Sequence, residues 1–526
     1  MKIERCNFAL RTSHLKDRVA WWEPALVVAG MFAALALGSY NLGGPSLWHD
    51  EAVQVYVAKS LLATGRPLLP SGHVHPVAPV YNAIMAAFIG AFCDAERVVR
   101  LPSVLFAGLN VGLTFLLVRP LLGRATAMLA AVALSLSPWS VAWSREARFY
   151  TAQQTFYLLA LLCAWRMMES REGRRVAAWA VLALSAYLLG LGTSLHSVLF
   201  LAPVAAYGAL MAAYERRPVS RWSAYAGIAA VIGVATMAVY WLTLPKADSD
   251  AIFRSAGIGL QVRGAETPVL YYVNWLRENL GTGFFILALA GTVLLPLRAG
   301  RRGAYAALAF WAPVLALTFL LGYRRHRFMF FAYPMYAAMF SYAIVVGARW
   351  IAATPRRIGP IGRIRRIGLI LIAGAIVLFG ARTGISGVLL LRDTLRTSAG
   401  ADITLATRHP QWRAPCQYVK DHLQPDIAVV TCTWVTTLYY VGRVDNWYPS
   451  RHFLTESWET GHEGLRTVED LEAYMAEHPR GYLIVELFRF WQFNPEQADV
   501  AWVNAHMKLI EEASTGDVRV YAWGME

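Results

Sequence analysis

Residues 101–118 read LPSVLFAGLNVGLTFLLV and contain no charged side chain. A helix of about 20 such residues crosses the hydrocarbon core of a membrane, which is roughly 30 Å thick. Of the 526 residues in the chain, 57% are hydrophobic and only 16% are charged, whereas about a quarter of the residues are charged in a soluble domain. The sequence therefore predicts a polytopic α-helical membrane protein. It excludes a soluble enzyme, a disordered chain and a secreted disulfide scaffold.

Comparable apolar runs recur on both sides of this stretch. We predict eleven spans, with thirteen as the upper bound, at 22–42, 101–118, 124–143, 151–168, 176–193, 195–214, 224–243, 281–297, 303–321, 328–348 and 367–390. The apolar run 79–93 has only 15 residues, which is short for a span. We therefore predict that it is a juxtamembrane helix in the loop after the first span.

The distribution of positive charge predicts the orientation in the membrane. With eleven spans, 23 Lys and Arg residues fall on the side of the N-terminus and 13 fall on the other side. Because the cytoplasmic side carries the excess of Lys and Arg, the N-terminus is predicted to be cytoplasmic. The first apolar run follows about twenty polar residues without a clear cleavage site, which favours an uncleaved first span over a signal peptide.

The charge also divides the chain into two predicted domains. Residues 1–390 form the membrane domain with a net charge of +22, whereas 391–526 lack a long apolar run and carry −7. In the second domain, β-branched runs at 427–433, 482–487 and 518–523 alternate with helical patterns, which predicts a soluble α/β domain outside the membrane. The total charge of +15 thus reflects topology, and no nucleic-acid partner is needed to explain it.

Polar residues where a membrane discourages them mark the candidate site. Asp50 and Glu51 follow the first span, in the sequence LWHDE. Two adjacent carboxylates beside aromatic and apolar residues can supply a general base. The alternative is a helix N-cap, because Asp followed by Glu suits the start of a helix over 51–63. Taken alone, this motif favours neither interpretation.

Two arginine motifs lie on the same predicted side. Arg97 and Arg100 stand at the entrance of the second span, where snorkelling at the interface is the favoured explanation of the motif alone. Arg145 and Arg148 belong to the sequence SREARFY. Because they run against the positive-inside trend, they predict the binding of an anion. An ion pair with Glu146 or a contact with lipid headgroups is the alternative.

The most anomalous basic cluster lies later in the chain, at residues 324–327. Arg324, Arg325, His326 and Arg327 adjoin the membrane surface on the predicted outer side and are followed by an aromatic helix entrance. A phosphate held at headgroup depth explains this cluster, and we favour it over nonspecific attraction to anionic lipid.

Histidine and cysteine residues give no strong metal signal. His73 and His75 are two residues apart in an extended loop without a nearby third ligand, so we interpret them as loop histidines near a substrate groove. Cys416 and Cys432 both fall in the outer domain, where a disulfide is permitted, and two free thiols are the favoured interpretation.

Taken in order over about residues 20–350, these motifs resemble those of the GT-C superfamily of membrane glycosyltransferases, of the protein O-mannosyltransferase and lipid A aminoarabinose transferase type. The matching elements are Asp50-Glu51, the Pro-rich segment 75–81 with Tyr81, Arg-Leu-Pro-Ser at 100–103, the motif 144–150, and Arg327 with Tyr333-Pro334. A first outer loop folded into juxtamembrane helices and a soluble outer domain are also typical of the family. The chain departs from the pattern at His49, at Phe328, which replaces a Tyr, and in lacking a doubled proline.

The resemblance implies that a sugar is transferred, with inversion, from a polyprenyl-phosphate carrier to a hydroxyl acceptor. The acceptor is a glycolipid, glycan or protein at the outer face of a bacterial inner membrane. Asp50 is implied to accept the proton of the attacking hydroxyl, and Glu51 to position it or to hold Arg100 or Arg148. The lipid phosphate leaves without a general acid and needs charge stabilisation.

The remaining roles are assigned to two groups of residues. The donor phosphate and lipid are assigned to Arg100, Arg148, Tyr150, Arg324, Arg325 and Arg327. The substrate groove is assigned to His49, His73, His75, Tyr81 and Arg145. No cofactor is required by this scheme, and a divalent metal stays open.

Two other classes of protein compete with this interpretation. A transporter or flippase of lipid-linked sugars predicts polar residues at the middle of the bilayer and repeated halves. The spans are mostly apolar, apart from Arg382, and we find no repeat. A membrane sensor with a ligand-binding outer domain leaves the acidic and basic motifs unexplained. We therefore favour the glycosyltransferase.

Overall fold

A computed structural model describes most of the helical part of the chain and most of its C-terminal part. The described residues are 22–216, 220–243, 268–320, 324–352, 388–389, 391–392, 409–448, 460–461, 463–493 and 498–525. The predicted span 367–390 falls almost entirely outside them.

The described residues up to 352 are predominantly helical, as the apolar runs predict. The helices are α1 Trp22–Ser39, α2 His49–Thr64, α3 Pro79–Ala91, α4 Glu96–Leu122, α5 Arg124–Ser135, α6 Pro138–Ser144, α7 Tyr150–Glu169, α8 Gly173–Leu191, α9 Ala202–Glu215, α10 Arg221–Thr243, α11 Tyr271–Asn279, α12 Thr282–Leu320 and α13 Tyr333–Ala352. Short 3-10 helices, Leu195–Leu201 and His326–Ala332, precede α9 and α13. Among the described residues, seven helical segments are long and apolar enough to cross a membrane, or eight if α5 and α6 form one bent span.

Four helices differ in shape from a simple span. The predicted span 124–143 is not one straight helix, because α5 and α6 are bent by 54° where Ser137 caps α6 and Pro138 begins it. Residues 282–297 and 303–320 of the two predicted spans 281–297 and 303–321 lie within α12, which is kinked at Gly300 (φ 56°, ψ −131°). Helix α3 has 13 residues and is about 20 Å long, too short to cross a bilayer.

Helix α4 is the centre of the packing that positions the site. It packs against α1, α5 and α7. The buried Asn110 side chain of α4 donates to the Thr151 carbonyl of α7 and accepts from the Thr155 hydroxyl, which fixes the position of the two helices relative to each other. The end of α1, the start of α4, the end of α6 and the start of α7 therefore meet at one end of the bundle.

The C-terminal residues form a five-stranded mixed sheet with flanking helices. Its elements are α14 Arg413–Asp421, β1 Ala428–Thr431, α15 Trp434–Val441, β2 Asn446–Trp447, α16 Val468–Glu477, β3 Gly481–Glu486, α17 Leu487–Phe493, α18 Ala498–His506, β4 Lys508–Leu509 and β5 Val518–Trp523. The strand order is β2-β1-β3-β5-β4, with β2, β1 and β3 parallel and with β5 antiparallel to both β3 and β4. Strands β1, β3 and β5 coincide with the three predicted β-branched runs. Cys416 and Cys432 are free thiols, as the sequence favoured.

The sheet region lies directly against α2. Buried side chains of α2, such as Val53 and Val57, pack with Trp434 and Val435 of α15. The Tyr440 hydroxyl of the same helix accepts from the Leu47 backbone N–H at 2.7 Å. The C-terminal region therefore contacts both the loop between α1 and α2 and α2 itself, whose first turn contains the acidic pair.

Candidate functional site

The acidic pair lies in the first turn of α2. This helix begins at His49, and the Glu51 carboxylate accepts from the Trp48 backbone N–H at 3.3 Å. The helix-cap interpretation is therefore correct for Glu51, which satisfies the helix start, and wrong for Asp50. The Asp50 side chain is free to serve another partner.

Asp50 forms an ion cluster with two arginines that are distant in sequence. Its Oδ2 lies 3.1 Å from Arg148 Nη2 and 3.8 Å from Arg327 Nη1. The Asp50 side chain is 29% exposed to solvent and the Arg327 side chain is 25% exposed. We call Asp50, Arg148 and Arg327 the Asp50 cluster. It joins three segments that the sequence singled out separately, and it remains reachable by a ligand.

The charges around Asp50 keep it ionised. Burial by itself raises the pKa of a carboxyl group. The positive charge of Arg148 and Arg327, with smaller effects of His49 and Arg489, outweighs burial and holds the pKa of Asp50 below its ordinary value of 3.8. Arg489, from the C-terminal helix α17, was not predicted to take part, because nothing in its local sequence points toward the acidic pair.

The Arg148 guanidinium is held by aromatic rings as well as by Asp50. It lies over the rings of Trp48, Phe149 and Tyr150 at 5.1 to 5.8 Å from the centroids. Its Nη1 donates to the Asp50 carbonyl at 3.1 Å. The arginine is thereby preorganised, with only 10% of its side chain exposed.

Tyr81 and Tyr150 are positioned behind Arg148. The fully buried Tyr81 hydroxyl is 2.7 Å from Ser103 Oγ, which donates to the Arg148 carbonyl at 2.9 Å. Tyr150 packs edge-on against Trp143 with ring centroids 4.4 Å apart. Because Tyr81 has no exposed surface, the structure gives it a supporting position in place of the predicted groove contact.

Glu51 and Arg100 form a fully buried ion pair. Arg100 Nη2 and Nε lie 2.7 and 2.9 Å from the two Glu51 oxygens. The other three N–H groups of the guanidinium donate to the carbonyls of Leu42, Pro45 and Ser46. All five donors are therefore used. The assignment of Arg100 to the donor phosphate is corrected for this reason: it binds the first loop instead.

Glu146 and His409 complete this buried network. Glu51 also accepts from the Ala147 backbone N–H. Glu146 accepts from Trp48 Nε1 at 2.8 Å and from His409 Nε2 at 2.9 Å. We call Glu51, Arg100, Glu146 and His409 the Glu51 cluster. His409 was not predicted, because it lies 263 residues from Glu146 and no motif surrounds it.

The structure gives several other predicted site residues different surroundings. Arg324 donates through two nitrogens to the Thr318 carbonyl near the end of α12, so it serves the helix end. His75 is buried and His73 is exposed in the turn before α3. Arg145 is buried at the end of α6.

Within the described part of the chain, one group of residues has spacing suited to a metal ion. Ligand atoms of Glu51, Glu146 and His409 all lie within 4.8 Å of one another. However, Arg100 already pairs with Glu51, and both His409 nitrogens face oxygen acceptors. Imidazole binds a metal through a free lone pair. This set of donors and acceptors fits a hydrogen-bonded ion network, and we assign no metal to it.

Comparison with known proteins finds similar sequences over part of the chain. A family model described as dolichyl-phosphate-mannose-protein mannosyltransferase matches residues 74–241. The chain is 32% identical over 171 residues to undecaprenyl phosphate-alpha-4-amino-4-deoxy-L-arabinose arabinosyl transferase 1 of Pseudomonas fluorescens. That match covers 31% of this chain and 30% of the relative.

The similarity of fold extends over nearly the whole chain. ArnT from Cupriavidus metallidurans bound to undecaprenyl phosphate aligns with a TM-score of 0.63 and 12% identity, covering 95% of this chain and 98% of that one. The oligosaccharyltransferase AglB from Archaeoglobus fulgidus, in complex with an inhibitory peptide and a dolichol-phosphate, aligns with a TM-score of 0.55 and 11% identity over 89% and 69%. At such identities the likeness is one of fold.

Proposed function

We propose that this chain, which has the fold of the GT-C superfamily glycosyltransferases, is an inverting glycosyltransferase of the membrane. It would transfer a sugar from a polyprenyl-phosphate carrier to a hydroxyl group of a glycolipid, glycan or protein. The observation that carries the proposal is the Asp50 cluster, in which one accessible carboxylate forms ion pairs with two arginines. A general base and a phosphate site are thereby adjacent.

The reaction needs a base and charge stabilisation, and the cluster offers both. The acceptor oxygen forms a bond to the anomeric carbon of the sugar while the bond from that carbon to the phosphate oxygen breaks. The electron pair of the broken bond stays on the phosphate, whose negative charge Arg148 and Arg327 stabilise. The proton of the acceptor hydroxyl passes to Asp50. Attack opposite to the leaving phosphate inverts the anomeric centre.

The shared arginines give the base a means of activation. Asp50 is a weak base as long as Arg148 and Arg327 pair with it, because their charge lowers its pKa. A donor phosphate competes with the carboxylate for the same two guanidinium groups. When they turn to the phosphate, the pKa of Asp50 rises and its ability to accept a proton increases. Donor binding thus prepares the base.

The class of donor is supported by the similar proteins. The Cupriavidus ArnT structure contains undecaprenyl phosphate, and the Archaeoglobus AglB structure contains a dolichol-phosphate. Both ligands join a phosphate to a long isoprenoid chain. We extend this class of ligand to the present chain because its arginines lie at one end of an apolar helical bundle, where a lipid phosphate can approach from the membrane.

The orientation follows from the positive-inside rule. We propose that the Asp50 cluster and the C-terminal sheet lie outside the cytoplasm, with residues 1–390 as the membrane domain and 391–526 as an outer domain. The packing of α15 against α2 would then cover the site from outside and limit the access of water, which competes with the acceptor.

Mass spectrometry of the cell envelope tests this function. A strain without the gene would receive the wild-type gene, the Asp50→Asn variant or the control Asp426→Asn. The control removes an exposed ion pair with Arg480, in which the Asp426 side chain is 60% exposed. We expect sugar-modified lipids, glycans or proteins with the wild type and the control, and their loss with Asp50→Asn at equal protein levels. An envelope that is the same with and without the gene contradicts the proposal.

A further inference from the structure

His409 links the C-terminal region to two loops of the candidate site. One is the loop between α1 and α2, which contains Ser46, and the other is the loop between α6 and α7, which contains Glu146. It stands four residues before α14, which begins at Arg413. Its Nδ1 is 2.8 Å from the Ser46 carbonyl oxygen and its Nε2 is 2.9 Å from Glu146 Oε1. The side chain keeps 9% of its exposure. His409, which belongs to the C-terminal region, therefore lies within the hydrogen-bond network of Glu51 and Glu146.

The two partners of the ring specify its protonation state. A carbonyl oxygen and a carboxylate oxygen can only accept hydrogen bonds. Both ring nitrogens must therefore donate, which requires the doubly protonated imidazolium. Arg100 Nη2 lies 3.5 Å from Nδ1, but its two N–H groups already serve Glu51 and Ser46. It does not require Nδ1 to accept.

The charge balance of the cluster agrees with this state. The charged groups that face His409 are Glu146, Glu51 and Arg100. A protonated His409 places a second positive charge beside the buried carboxylates of Glu51 and Glu146, in addition to that of Arg100, and the charge of Arg145 also acts on Glu146. A cationic partner at such short distance offsets part of the cost of burying a carboxylate. Burial lowers the pKa of a histidine, but the two carboxylates outweigh burial and Arg100, so the pKa of His409 is raised above its ordinary 6.5.

A short chain of contacts connects His409 with the reacting groups. Glu146 holds Trp48 through the indole N–H at 2.8 Å. The Arg148 guanidinium carbon lies over the Trp48 ring, 5.6 Å from the ring centroid, and Arg148 pairs with Asp50. A change at His409 therefore reaches the position of Arg148 through two side chains.

We propose that His409 is a positioning residue whose protonated ring fastens the C-terminal region to the two site loops and sets an alkaline limit to sugar transfer. This inference rests on the proposed function. The expected effect on stability does not depend on the proposed function, because the hydrogen bonds of His409 contribute to folding whether or not a sugar is transferred.

The direction of the pH dependence follows from the raised pKa. The contribution of the protonated ring is fully present below the ordinary histidine value and is lost as the pH rises through the higher value of the folded protein. Above that value the neutral ring keeps at most one of its two donated bonds. Both the stability and the position of Arg148 should therefore change on the alkaline side only.

The test compares three variants with the wild type. His409→Gln removes the titrating group. Glu146→Gln keeps the histidine but removes the nearest carboxylate. Arg413→Gln is the matched control, because it weakens the same interface through the Arg413–Glu96 pair, 2.7 Å long, without removing a group that titrates in this range. Each protein is studied in nanodiscs between about pH 6 and about pH 9.

The first measurement is thermal unfolding, which needs no substrate. We expect the wild type to unfold at a higher temperature than His409→Gln near pH 6 and the difference to shrink toward pH 9. Arg413→Gln should be less stable by the same amount at both ends of the range. A constant difference between the wild type and His409→Gln overturns the inference.

The second measurement is the pH profile of kcat and KM with a polyprenyl-phosphate sugar that the wild type uses. We expect His409→Gln to lose about tenfold or more in kcat near pH 6 with little change in KM, and to lack the alkaline fall of the wild type. In Glu146→Gln that fall should move to lower pH. Unchanged profiles in both variants overturn the inference. Absence of transfer by the wild type contradicts the proposed function instead, and unfolding still tests the fastening.

Discussion

The Asp50 cluster and the Glu51 cluster contain adjacent residues of one short motif in opposite environments. The Asp50 side chain keeps 29% of its exposure and has arginine partners at 3.1 and 3.8 Å. The Glu51 side chain has no exposure and meets Arg100 at 2.7 Å. A loose and reachable ion pair can exchange partners with a ligand, whereas a buried pair with every donor used cannot. The role of each carboxylate is thus indicated by its burial more than by its position in the motif.

Breaking the buried pair should have the largest effect. Arg100→Met leaves the Glu51 carboxylate buried without its partner, which costs about 3–5 kcal/mol. We expect a corresponding fall in the free energy of unfolding, measured in detergent micelles, and a low yield of folded protein. The control Lys59→Met breaks an exposed pair with Asp94, whose side chains are 50% and 45% exposed, and should cost less than about 1 kcal/mol. Equal stability of the two variants contradicts the contrast between the clusters.

Removing an arginine from the Asp50 cluster should affect binding more than folding. Arg327→Ala loses one charged partner of the phosphate, worth about 1.5–3 kcal/mol, or roughly tenfold or more in affinity. Undecaprenyl phosphate binding to protein in nanodiscs measures this loss. Arg324→Ala is the matched control, because the Arg324 guanidinium already serves the Thr318 carbonyl. If both variants lose the same affinity, nonspecific attraction to the lipid phosphate is the better explanation.

The smallest expected effect is a shift in the pH profile. The value of kcat/KM reports groups of the free enzyme and kcat reports groups of the substrate complex. In the free enzyme Arg148 and Arg327 lower the pKa of Asp50. In the complex the phosphate shares these arginines, so the pKa is higher. We expect the acidic fall of kcat at higher pH than that of kcat/KM. Coinciding falls would mean that donor binding does not release the base.

Much of the fold could be predicted from the sequence, because its signals are local. Apolar runs predicted most of the described helices up to residue 352, although not α11, and β-branched runs predicted strands β1, β3 and β5. The resemblance to GT-C glycosyltransferases, predicted from ordered motifs, is confirmed by the comparisons. The bend between α5 and α6 was missed, although Ser137 followed by Pro138 is a helix-start signal that could have indicated it.

The partners of each charge could be predicted only in part. Anomalous charges at the predicted surface pointed to Asp50, Arg148 and Arg327, but the same argument selected Arg100 for the phosphate. Which arginine meets which carboxylate depends on how the helix ends meet, and the sequence does not state this. His409 lies outside every motif, so only the folded chain connects it with Glu146.

The central claim is that Asp50 is the base and competes with the phosphate for its arginines. Asp50→Asn tests it most directly when undecaprenyl phosphate binding and sugar transfer are measured on the same preparation. We predict that binding is unchanged or tighter, because the neutral amide competes less for Arg148 and Arg327. Transfer should fall by about 100-fold or more. Transfer within about twofold of the wild type, at equal binding, would contradict the account.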